Sequence, residues 1–599
     1  MSKSVNLLPS GLPGHHGYVS LEKAKKPGMV IIRIWQYFGK QKILFLLVIL
    51  FLLLNTAASL YGSYLLRPII NNYIIPGRLQ GLLQMVVLLM AIYLLGVIAA
   101  FFQSRLMIHV AQKTVNMIRA DMFCKMQTLP IRFYDTHSHG ELMSRFTNDL
   151  DNVSDALNDS VTQIISSLIT VAGTFVLMLY ISPMLSLVTI VVVFAMFWLA
   201  KLIIQKSNTY FTGQQAALGI LNGYIEEIIT GEKTVKVYCH EEEAVDDFEK
   251  LNKGLLKKAT KAQFYSGIMM PIMQNLNTIN FALTAAAGGI MSIVTGLDIG
   301  GLAAFLQYSK QFSRPLNQIS GEFSSFQTAM ASAERIFEVM DQLPEKADEK
   351  QAVELVNIKG EIHFNQVTFS YNPGKTILKN ISLKALPGQK IAFVGSTGAG
   401  KSTIINLLPR FYDIQSGDIS IDGTDIRMIK RKNLRQSLAM VLQDTHLFHG
   451  TVMENIRYGS LKATDQQVIA AAKLVSADSF IKRLPKGYLT ILEDDGNNLS
   501  QGQRQLLNIA RAAVADPRIL ILDEATSSID TRTEIHIQIG IDRLMEGRTS
   551  FVVAHRLSTI INADKIIVLE QGEIIEQGSH AELLKQKGRY FELYTSQFD

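Results

Sequence analysis

Two patterns of hydrophobic and polar positions divide the 599-residue chain. Long apolar runs recur up to about residue 318, whereas the remainder alternates short apolar segments with polar ones, as soluble α/β domains do. Because about 20 apolar residues cross a bilayer as a helix, we interpret six runs as membrane spans. They lie near residues 43–66, 81–104, 161–181, 184–204, 272–295 and 300–318.

Prolines are spaced so widely in this half that they permit helices much longer than a bilayer is thick. No proline occurs between Pro76 and Pro130, between Pro130 and Pro183, or between Pro183 and Pro271. Since proline breaks helix interiors, these gaps allow helices of about 45 residues, which are roughly 68 Å long against a hydrocarbon core of about 30 Å. We expect about half of each long helix to project from the membrane.

Basic residues indicate which way the projections point. The segments between spans two and three and between spans four and five are rich in Lys and Arg, whereas Arg78 is nearly the only basic residue of the short opposite loops. An excess of Lys and Arg marks the cytoplasmic face. We therefore expect cytoplasmic projections with turns at their tips, near residues 133–140 and 213–223.

The interiors of the spans are expected to be uncharged, apart from Arg67 close to one end, which disfavours an ion-coupled carrier. The fifth span carries Gln274, Asn277 and Asn280 at helical spacing on roughly one face. Hydrogen bonding between helices is the more common role of such amides, and a polar stripe along a substrate cavity is the alternative. The net charge of +6 comes without basic clusters between aromatic residues, so nucleic-acid binding is a poor explanation for it.

A phosphate-loop motif opens the chemistry of the second half. An apolar strand at residues 391–394 leads into a segment that fits GxxxxGK[ST]: Gly395, Ser396, Thr397, Gly398, Ala399, Gly400, Lys401, Ser402 and Thr403. The glycines let backbone N–H groups surround phosphate oxygens, and the helix that follows adds the positive end of its dipole. Lys401 can reach the β- and γ-phosphates, and Ser402 can bind Mg²⁺. We therefore predict ATP and Mg²⁺ as cofactors.

Two further segments suit the same chemistry. A second apolar strand, residues 519–522, ends in Asp523, the expected metal-side acid, and Glu524, the expected general base. Between the two strands, Ser500 is placed to cap an apolar-periodic helix. A serine and a glycine at a helix start favour an anion. His555, after a third apolar strand, would by itself more often be structural than catalytic.

The order and spacing of these motifs resemble an ATP-binding cassette, and the six preceding spans make the chain similar to bacterial ABC exporter half-transporters of the multidrug and lipid-flippase type. The resemblance covers about residues 31–597. Besides the phosphate loop, it is carried by Gln443 in Val-Leu-Gln-Asp, by the signature Leu499–Gln503, and by Asp523, Glu524, Asp530 and His555.

The resemblance implies a role for each of these residues. Tyr371 would stack on adenine, and Gln443 would touch Mg²⁺ and the γ-phosphate. Glu524 and His555 would hold the attacking water, while Asp530 would cross to a partner cassette. Two cassettes would close head to tail, each ATP lying between one phosphate loop and the other signature, here Ser500, Gln501, Gly502 and Gln503. The turns at the helix tips would be the coupling helices that seat on the cassettes.

The signature departs from the usual Leu-Ser-Gly-Gly-Gln, because Gln501 replaces its first glycine. Only glycine offers close backbone approach without a side chain, so we expect Gln501 to crowd or re-aim the loop against the partner's ATP. The preceding segment also differs, with Glu493 and Asp495 where Gly and Arg are common. Since Glu524 is present, the chain resembles the subunit of heterodimeric multidrug exporters that keeps the catalytic glutamate. A homodimer that tolerates Gln501 is the alternative.

The predicted fold is an α-helical six-span transmembrane domain with long cytoplasmic helix extensions, followed by an α/β P-loop nucleotide-binding domain. We expect a polar tail at 1–27, the transmembrane domain at 28–340, a linker at 341–358 and the cassette at 359–599. The expected function is ATP-driven multidrug-type export of hydrophobic or amphipathic compounds, with both termini on the cytoplasmic side of the cell membrane. A partner half-transporter with a degenerate catalytic site is expected. A homodimeric lipid flippase and an ATP-gated channel or sensor are the alternatives.

Overall fold

The structure, a computed structural model, describes residues 25–442, 445–523, 531–553 and 560–595. The chain divides into two compact units. The first comprises residues 1–128 and 137–343, and the second comprises residues 129–136 and 344–599.

The first unit is helical in its described part. Its first helix is α1 (Pro27–Gly39), and three short π-helical turns, Ile70–Ile74, Arg145–Asp149 and Ala156–Ser160, extend or join its other helices. The helices that follow α1 in chain order are α2 (Lys42–Ile69), α3 (Leu79–Met126), α4 (Ile131–Thr136), α5 (His139–Ser144), α6 (Leu150–Asp155), α7 (Val161–Ile181), α8 (Pro183–Thr230), α9 (Glu232–Tyr238), α10 (Glu241–Gly267), α11 (Met269–Val294) and α12 (Ile299–Met340). Of these, α4 belongs to the second unit.

Five continuous helical segments in the described residues are long and apolar enough to cross a membrane. They contain the first five predicted spans and run over Lys42–Ile74, Leu79–Met126, His139–Ile181, Pro183–Thr230 and Glu241–Val294. The shortest has 33 residues and the longest has 54, which confirms helices longer than a bilayer requires. The sixth predicted span, 300–318, lies in α12, which is not among the five, so six spans remain a prediction.

The expectation of uncharged span interiors is wrong for this sixth stretch. Lys310 and Arg314 both lie within residues 300–318 and lower its mean hydropathy. A lysine at the centre of a membrane helix costs about 2.5–3.5 kcal/mol on insertion scales. A cationic residue retained there therefore needs a polar neighbour or a function.

The predicted turn near residues 213–223 is also wrong. These residues continue α8, and the chain reverses at Gly231, through α9, and at His240 before α10. Glycine inside a helix costs only about 1 kcal/mol relative to alanine, so Gly213 and Gly223 do not interrupt a helix that its neighbours support. The other predicted turn is confirmed near its expected place, because α4 and the break before α5 fall within residues 127–139.

Polar side chains join the membrane helices to one another. Asn280 in α11 is 1% exposed and donates its amide to the Ser309 hydroxyl in α12 at 3.0 Å. The Tyr308 hydroxyl donates to the Leu60 carbonyl in α2 at 2.8 Å. The interhelical interpretation is therefore confirmed for Asn280. Gln274, which is exposed, is not accounted for in this way.

At the N-terminus of α12, Asp298 accepts hydrogen bonds from several donors. The Arg67 guanidinium donates to both carboxylate oxygens at 2.8 and 3.0 Å, and Asn71 also donates to one of them, Oδ2. Asp298 caps α12 by accepting from the Gly301 N–H at 2.8 Å. The end of α2 and the start of α12 are thus held together by one carboxylate.

The second unit contains a mixed sheet of six strands with the order β12-β11-β3-β10-β9-β6, in which only the β11–β12 pair is antiparallel. An antiparallel sheet has the order β2-β1-β4-β5, and β7 pairs with β8. The strands are β1 (Ile362–Phe369), β2 (Leu378–Ala385), β3 (Lys390–Val394), β4 (Ser416–Ile421), β5 (Thr424–Asp425), β6 (Leu438–Val441), β7 (Gly450–Thr451), β8 (Ile491–Leu492), β9 (Ile519–Asp523), β10 (Thr549–Val553), β11 (Lys565–Glu570) and β12 (Glu573–Gly578).

Helices cover the six-stranded sheet, so its central strands are apolar on both faces. In β3, Ile391 and Phe393 enter one hydrophobic cluster, whereas Ala392 and Val394 enter another. The described α-helices are α13 (Lys401–Leu407), α14 (Arg431–Ser437), α15 (Val452–Arg457), α16 (Asp465–Leu474), α17 (Asp478–Ile481), α18 (Gln501–Val514), α19 (Thr531–Met545), α20 (His580–Gln586) and α21 (Arg589–Thr595).

Candidate nucleotide site

The phosphate loop connects β3 to α13, and its glycines are required by the fold itself. Gly395 has φ +151°, and a Cβ there would lie 2.1 Å from the Leu569 carbonyl oxygen in β11. Gly400 has φ +103°, and its Cβ would lie 2.6 Å from the Leu378 side chain. A side chain is therefore excluded at Gly395 by the backbone of β11 and is disfavoured at Gly400 by its φ, while Ser396, Thr397 and Gly398 between them are exposed.

Lys401 closes over this loop. It is 7% exposed, and its ammonium donates to the carbonyls of Gly395 at 2.6 Å and Ser396 at 3.0 Å. Burial lowers the pKa of Lys401, and the nearby charge of Asp523 acts in the opposite direction. The ammonium is thus held where the loop backbone turns, which is the place the motif predicts for a group that binds phosphate.

Asp523 reaches the same edge of the sheet from a different strand. In the parallel register, Val553 of β10 lies between Phe393 of β3 and Asp523 of β9. The carboxyl ends of parallel strands share one edge, so the acid and the phosphate loop are brought together there. Open α/β sheets bind their ligands at this edge.

The residues present fit a magnesium ion shared with phosphates. Mg²⁺ is usually bound through one or two carboxylates together with substrate phosphates and water, rather than by an all-protein cage. Asp523 supplies a carboxylate, and the exposed Ser402 supplies a hydroxyl next to Lys401. No group of three or more His, Cys, Asp and Glu side chains suited to a metal occurs in the described residues.

Tyr371 lies beside the loop. Its hydroxyl donates to the Thr403 hydroxyl at 3.3 Å, and its ring meets those of Phe369 and Tyr412 edge-on, with centroids 4.9 Å away in each case. The residue that the family resemblance assigns to adenine is therefore tied to the residue that directly follows GxxxxGK[ST]. Its stacking role stays a prediction.

A contact that the sequence did not predict joins α4 to this aromatic group. The Tyr412 hydroxyl donates to the Asp135 carboxylate, and Arg132 donates to Asn372 at 3.3 Å. Tyr412 packs on Tyr371, which bonds Thr403. A continuous set of contacts thus runs from α4 to the phosphate loop inside the second unit. Asp135 and Tyr412 are 277 residues apart in sequence, and no motif indicates their pairing.

The signature segment forms the start of α18. Ser500 is the N-cap, its hydroxyl accepts from the Gln503 N–H at 3.3 Å, and the Gln503 side chain accepts from the Ser500 N–H at 3.1 Å. This reciprocal pair is a capping box. Gln501 is the first helical residue, is exposed and does not have a positive φ. Glutamine therefore fits this backbone without strain, and its effect on a partner's ATP stays a prediction. Any crowding falls on what docks against the helix start.

The unusual acid before the signature also has a structural role. Asp495 has φ +62°, and its carboxylate accepts from the Leu447 N–H at 2.6 Å and lies 3.5 Å from the His446 ring. Arg511 in α18 donates to the His446 carbonyl at 2.9 Å. The segment that follows position 444 is therefore held from both sides by residues near the signature. Sequence reasoning noted the departure at Asp495 but not this contact.

Four predicted site residues lie outside the described residues: Gln443, Glu524, Asp530 and His555. Their roles stay predictions. Of the others, the structure brings the phosphate loop, Asp523 and Tyr371 to one place, and it places Ser500, Gln501, Gly502 and Gln503 together at the start of α18.

Comparison with known proteins identifies both units. Residues 45–316 match the family model of the ABC transporter transmembrane region, and residues 378–527 match that of the ABC transporter. The uncharacterized ABC transporter ATP-binding protein YfiC of Bacillus subtilis (strain 168) is 47% identical and is covered over 96% of both chains. The fatty acid ABC transporter ATP-binding/permease protein of Mycobacterium bovis is 41% identical over 84% of this chain and 80% of its own length. Among solved structures, a bacterial Atm1-family ABC exporter with ATP bound matches with a TM-score of 0.74 and 29% identity, covering 93% of this chain and 98% of its own.

Proposed function

Because this chain belongs to the ABC transporter family, whose cassettes bind ATP and couple its hydrolysis to transport, we propose that it is one half of a dimeric exporter of hydrophobic or amphipathic compounds. The observation that carries the proposal is that one chain contains both long apolar helices and a cassette whose phosphate loop is fully formed. The proposed bounds are residues 28–340 for the transmembrane domain and 359–599 for the cassette.

ATP would bind with its phosphates in the loop that follows β3. Lys401 would bind the β- and γ-phosphates, and Tyr371 would carry the adenine. Ser402, Asp523 and Gln443 would hold Mg²⁺, whose charge offsets that of the phosphates. Glu524 would orient and deprotonate the attacking water with the help of His555.

Alternating access is the proposed cycle. ATP between two cassettes favours their closed pairing because its phosphates contact both halves, and hydrolysis removes that preference. The contacts of Asp135, Tyr412 and Tyr371 give α4 a direct physical link to the phosphate loop. We propose that this link is one route by which nucleotide binding acts on the helices that α4 connects.

We propose a heterodimer on the strength of Gln501. The exposed glutamine stands where a partner's ATP would approach the start of α18, and the site of this chain retains its own base, Glu524. The paired assembly would then contain one strong ATP site, formed by this chain's phosphate loop and the partner's signature, and one weak site that faces Gln501.

The similarity to a fatty acid transporter supports lipidic cargo ahead of drugs. The mostly uncharged membrane half had instead suggested drugs first and lipids second. Amphipathic molecules that enter from the inner leaflet suit either description.

Co-purification with the half-transporter encoded beside it tests the pairing. We expect the chain alone to hydrolyse ATP slowly, the pair to hydrolyse it rapidly, and Glu524→Gln to abolish turnover in the pair. Vigorous, substrate-stimulated hydrolysis by the chain alone would instead establish a homodimer. Accumulation of an amphiphile against a gradient in sealed vesicles distinguishes an exporter from an ATP-gated channel.

A further inference from the structure

On the predicted sixth span, Lys310 lies close to the middle of the bilayer. It follows the start of α12 at Ile299 by 11 residues, or roughly 16 Å at about 1.5 Å per residue, in a hydrocarbon core of about 30 Å. Its neighbour Phe281 precedes the end of α11 at Val294 by 13 residues, which gives a similar depth from the same side. The start of α12 and the end of α11 lie on the same side of the membrane, so the two antiparallel helices place Lys310 and Phe281 at a similar depth.

Three residues of α12 near Lys310 face other helices, within one arc of roughly 100°. Tyr308 bonds α2, Ser309 bonds Asn280 of α11, and Phe312 packs on Phe175 of α7 at 6.3 Å between centroids. At 3.6 residues per turn, Lys310 points about 160° away from Tyr308. It is exposed and lies outside that arc.

The ammonium of Lys310 has an aromatic neighbour but no acid. It lies 4.4 Å from the centroid of the Phe281 ring, a cation–π contact that fixes its position. Within the described residues, no Asp or Glu carboxylate lies within 4.0 Å of it. The positive charge is therefore held in place without being neutralised by these residues.

A lysine at this depth cannot face lipid without a large penalty. Its four-carbon stem is too short to bring the ammonium to either membrane surface from the bilayer centre. Charged residues in membrane helices almost always face a bundle interior or a water-filled cavity. The exposed side of α12 at Lys310 therefore faces a polar space.

We infer that Lys310 recognises the anionic headgroup of an amphipathic substrate in the translocation cavity. A carboxylate or phosphate on an apolar tail complements this position. Its negative charge would pair with the Lys310 ammonium, and its hydrocarbon portion would contact the apolar surroundings. The inference rests on the proposed export function and specifies its substrate class.

The amides of α11 extend this site toward the other end of the helix. Asn277 and Gln274 precede Phe281 by four and seven residues, so helical spacing puts them one and two turns away on the same face. Gln274 is exposed and Asn277 is partly exposed. A headgroup moving from the cytoplasmic end of α11 would pass these polar side chains before it meets Lys310. Contact with the headgroup would explain Gln274, which helix packing does not account for.

Charge-selective transport tests the assignment. Wild type, Lys310→Met and Lys310→Arg are reconstituted, in the assembly in which the chain purifies, into vesicles of neutral phosphatidylcholine. ATP-dependent transport is compared for oleate against oleyl alcohol, and for lysophosphatidate against lysophosphatidylcholine. Lys257→Met, at an exposed lysine of α10, is the matched control for loss of a positive charge.

We expect wild type and Lys257→Met to prefer at least one anionic amphiphile over its neutral or zwitterionic analogue. Lys310→Met should lose this preference by roughly ten-fold or more, the change that one charge-assisted hydrogen bond produces, while Lys310→Arg retains it. The substrate pair for which Lys310→Met loses the preference shows whether the recognised headgroup is a carboxylate or a phosphate.

Three results would overturn the inference. Equal transport of anionic and neutral amphiphiles by wild type would refute it while leaving export established. Unchanged anion preference in Lys310→Met would refute it as well. Equal loss of both classes, with weakened subunit association, would show that the lysine pairs with an acid of a second subunit. Hydrolysis of ATP by wild type without transport of any amphiphile would instead refute the proposed export function itself.

Discussion

The phosphate loop and the start of α18 are both helix beginnings with a glycine motif, but different forces determine their sequences. In the phosphate loop, glycine is demanded by this chain's own backbone, since a Cβ at Gly395 would collide with the Leu569 carbonyl. At the start of α18, the backbone accepts Gln501 without a positive φ, because the capping box of Ser500 and Gln503 sets an ordinary helix start. A substitution of Gly395 would therefore disrupt the fold, whereas a substitution at Gln501 changes only what can dock at the start of α18.

Gly395→Ala gives the largest expected effect on this comparison. The alanine would combine an unfavourable φ with a 2.1 Å approach to a backbone oxygen of β11, so we expect a loss of about 3 kcal/mol or more in the cassette's free energy of unfolding. Thermal unfolding and ATP binding measure it. Gly398→Ala is the control, because Gly398 has φ +83° but a Cβ there meets nothing within 4 Å.

Gly398→Ala should therefore cost only the backbone strain, about 1 kcal/mol. Equal losses in the two variants would contradict the view that contact with β11 fixes Gly395.

Ser500→Ala should have a smaller effect on stability. It removes one capping box, which costs about 1 kcal/mol, and Ser579→Ala removes the same kind of box, with Glu582, at the start of α20. We expect both variants to lower the thermal midpoint equally. Only Ser500→Ala should lower the affinity for one of the two ATP molecules bound by a Glu524→Gln pair. We expect a decrease of roughly ten-fold, the effect of losing a hydrogen bond to a charged group.

Titration with a fluorescent ATP analogue measures that difference. Equal nucleotide affinity in Ser500→Ala and Ser579→Ala would show that the start of α18 is a helix cap and nothing more.

Local patterns were enough to predict the parts of the molecule that depend on local physics. Hydropathy located five spans, and the glycine spacing located the phosphate loop that the structure shows closed by Lys401. Both depend on residues that are adjacent in sequence. The pairing of Asp135 with Tyr412 could not be predicted, because no local pattern connects residues 277 positions apart.

Two errors came from giving one signal too much weight. Gly213 and Gly223 were interpreted as a turn, but helix-forming neighbours carry α8 through them to Thr230. The apolar character of residues 300–318 hid Lys310, whose position becomes informative only when α2, α7 and α11 are seen to pack against a different face of α12.

Gln501→Gly should have the smallest effect, and the size of its effect on ATP hydrolysis distinguishes a heterodimer from a homodimer. Restoring the glycine costs less than about 1 kcal/mol of helix stability, and Gln466→Gly, at an exposed position in the first turn of α16, is the control for that cost. In a heterodimer, Gln501 faces the weak ATP site, so steady-state hydrolysis at the strong site should change by less than about two-fold, a free-energy effect smaller than RT. In a homodimer, both working sites face Gln501, and relief of crowding at both would raise hydrolysis several-fold. A large increase in ATPase activity would therefore contradict the heterodimer even though the fold is undisturbed, because nothing in α18 itself requires glutamine or glycine at this position.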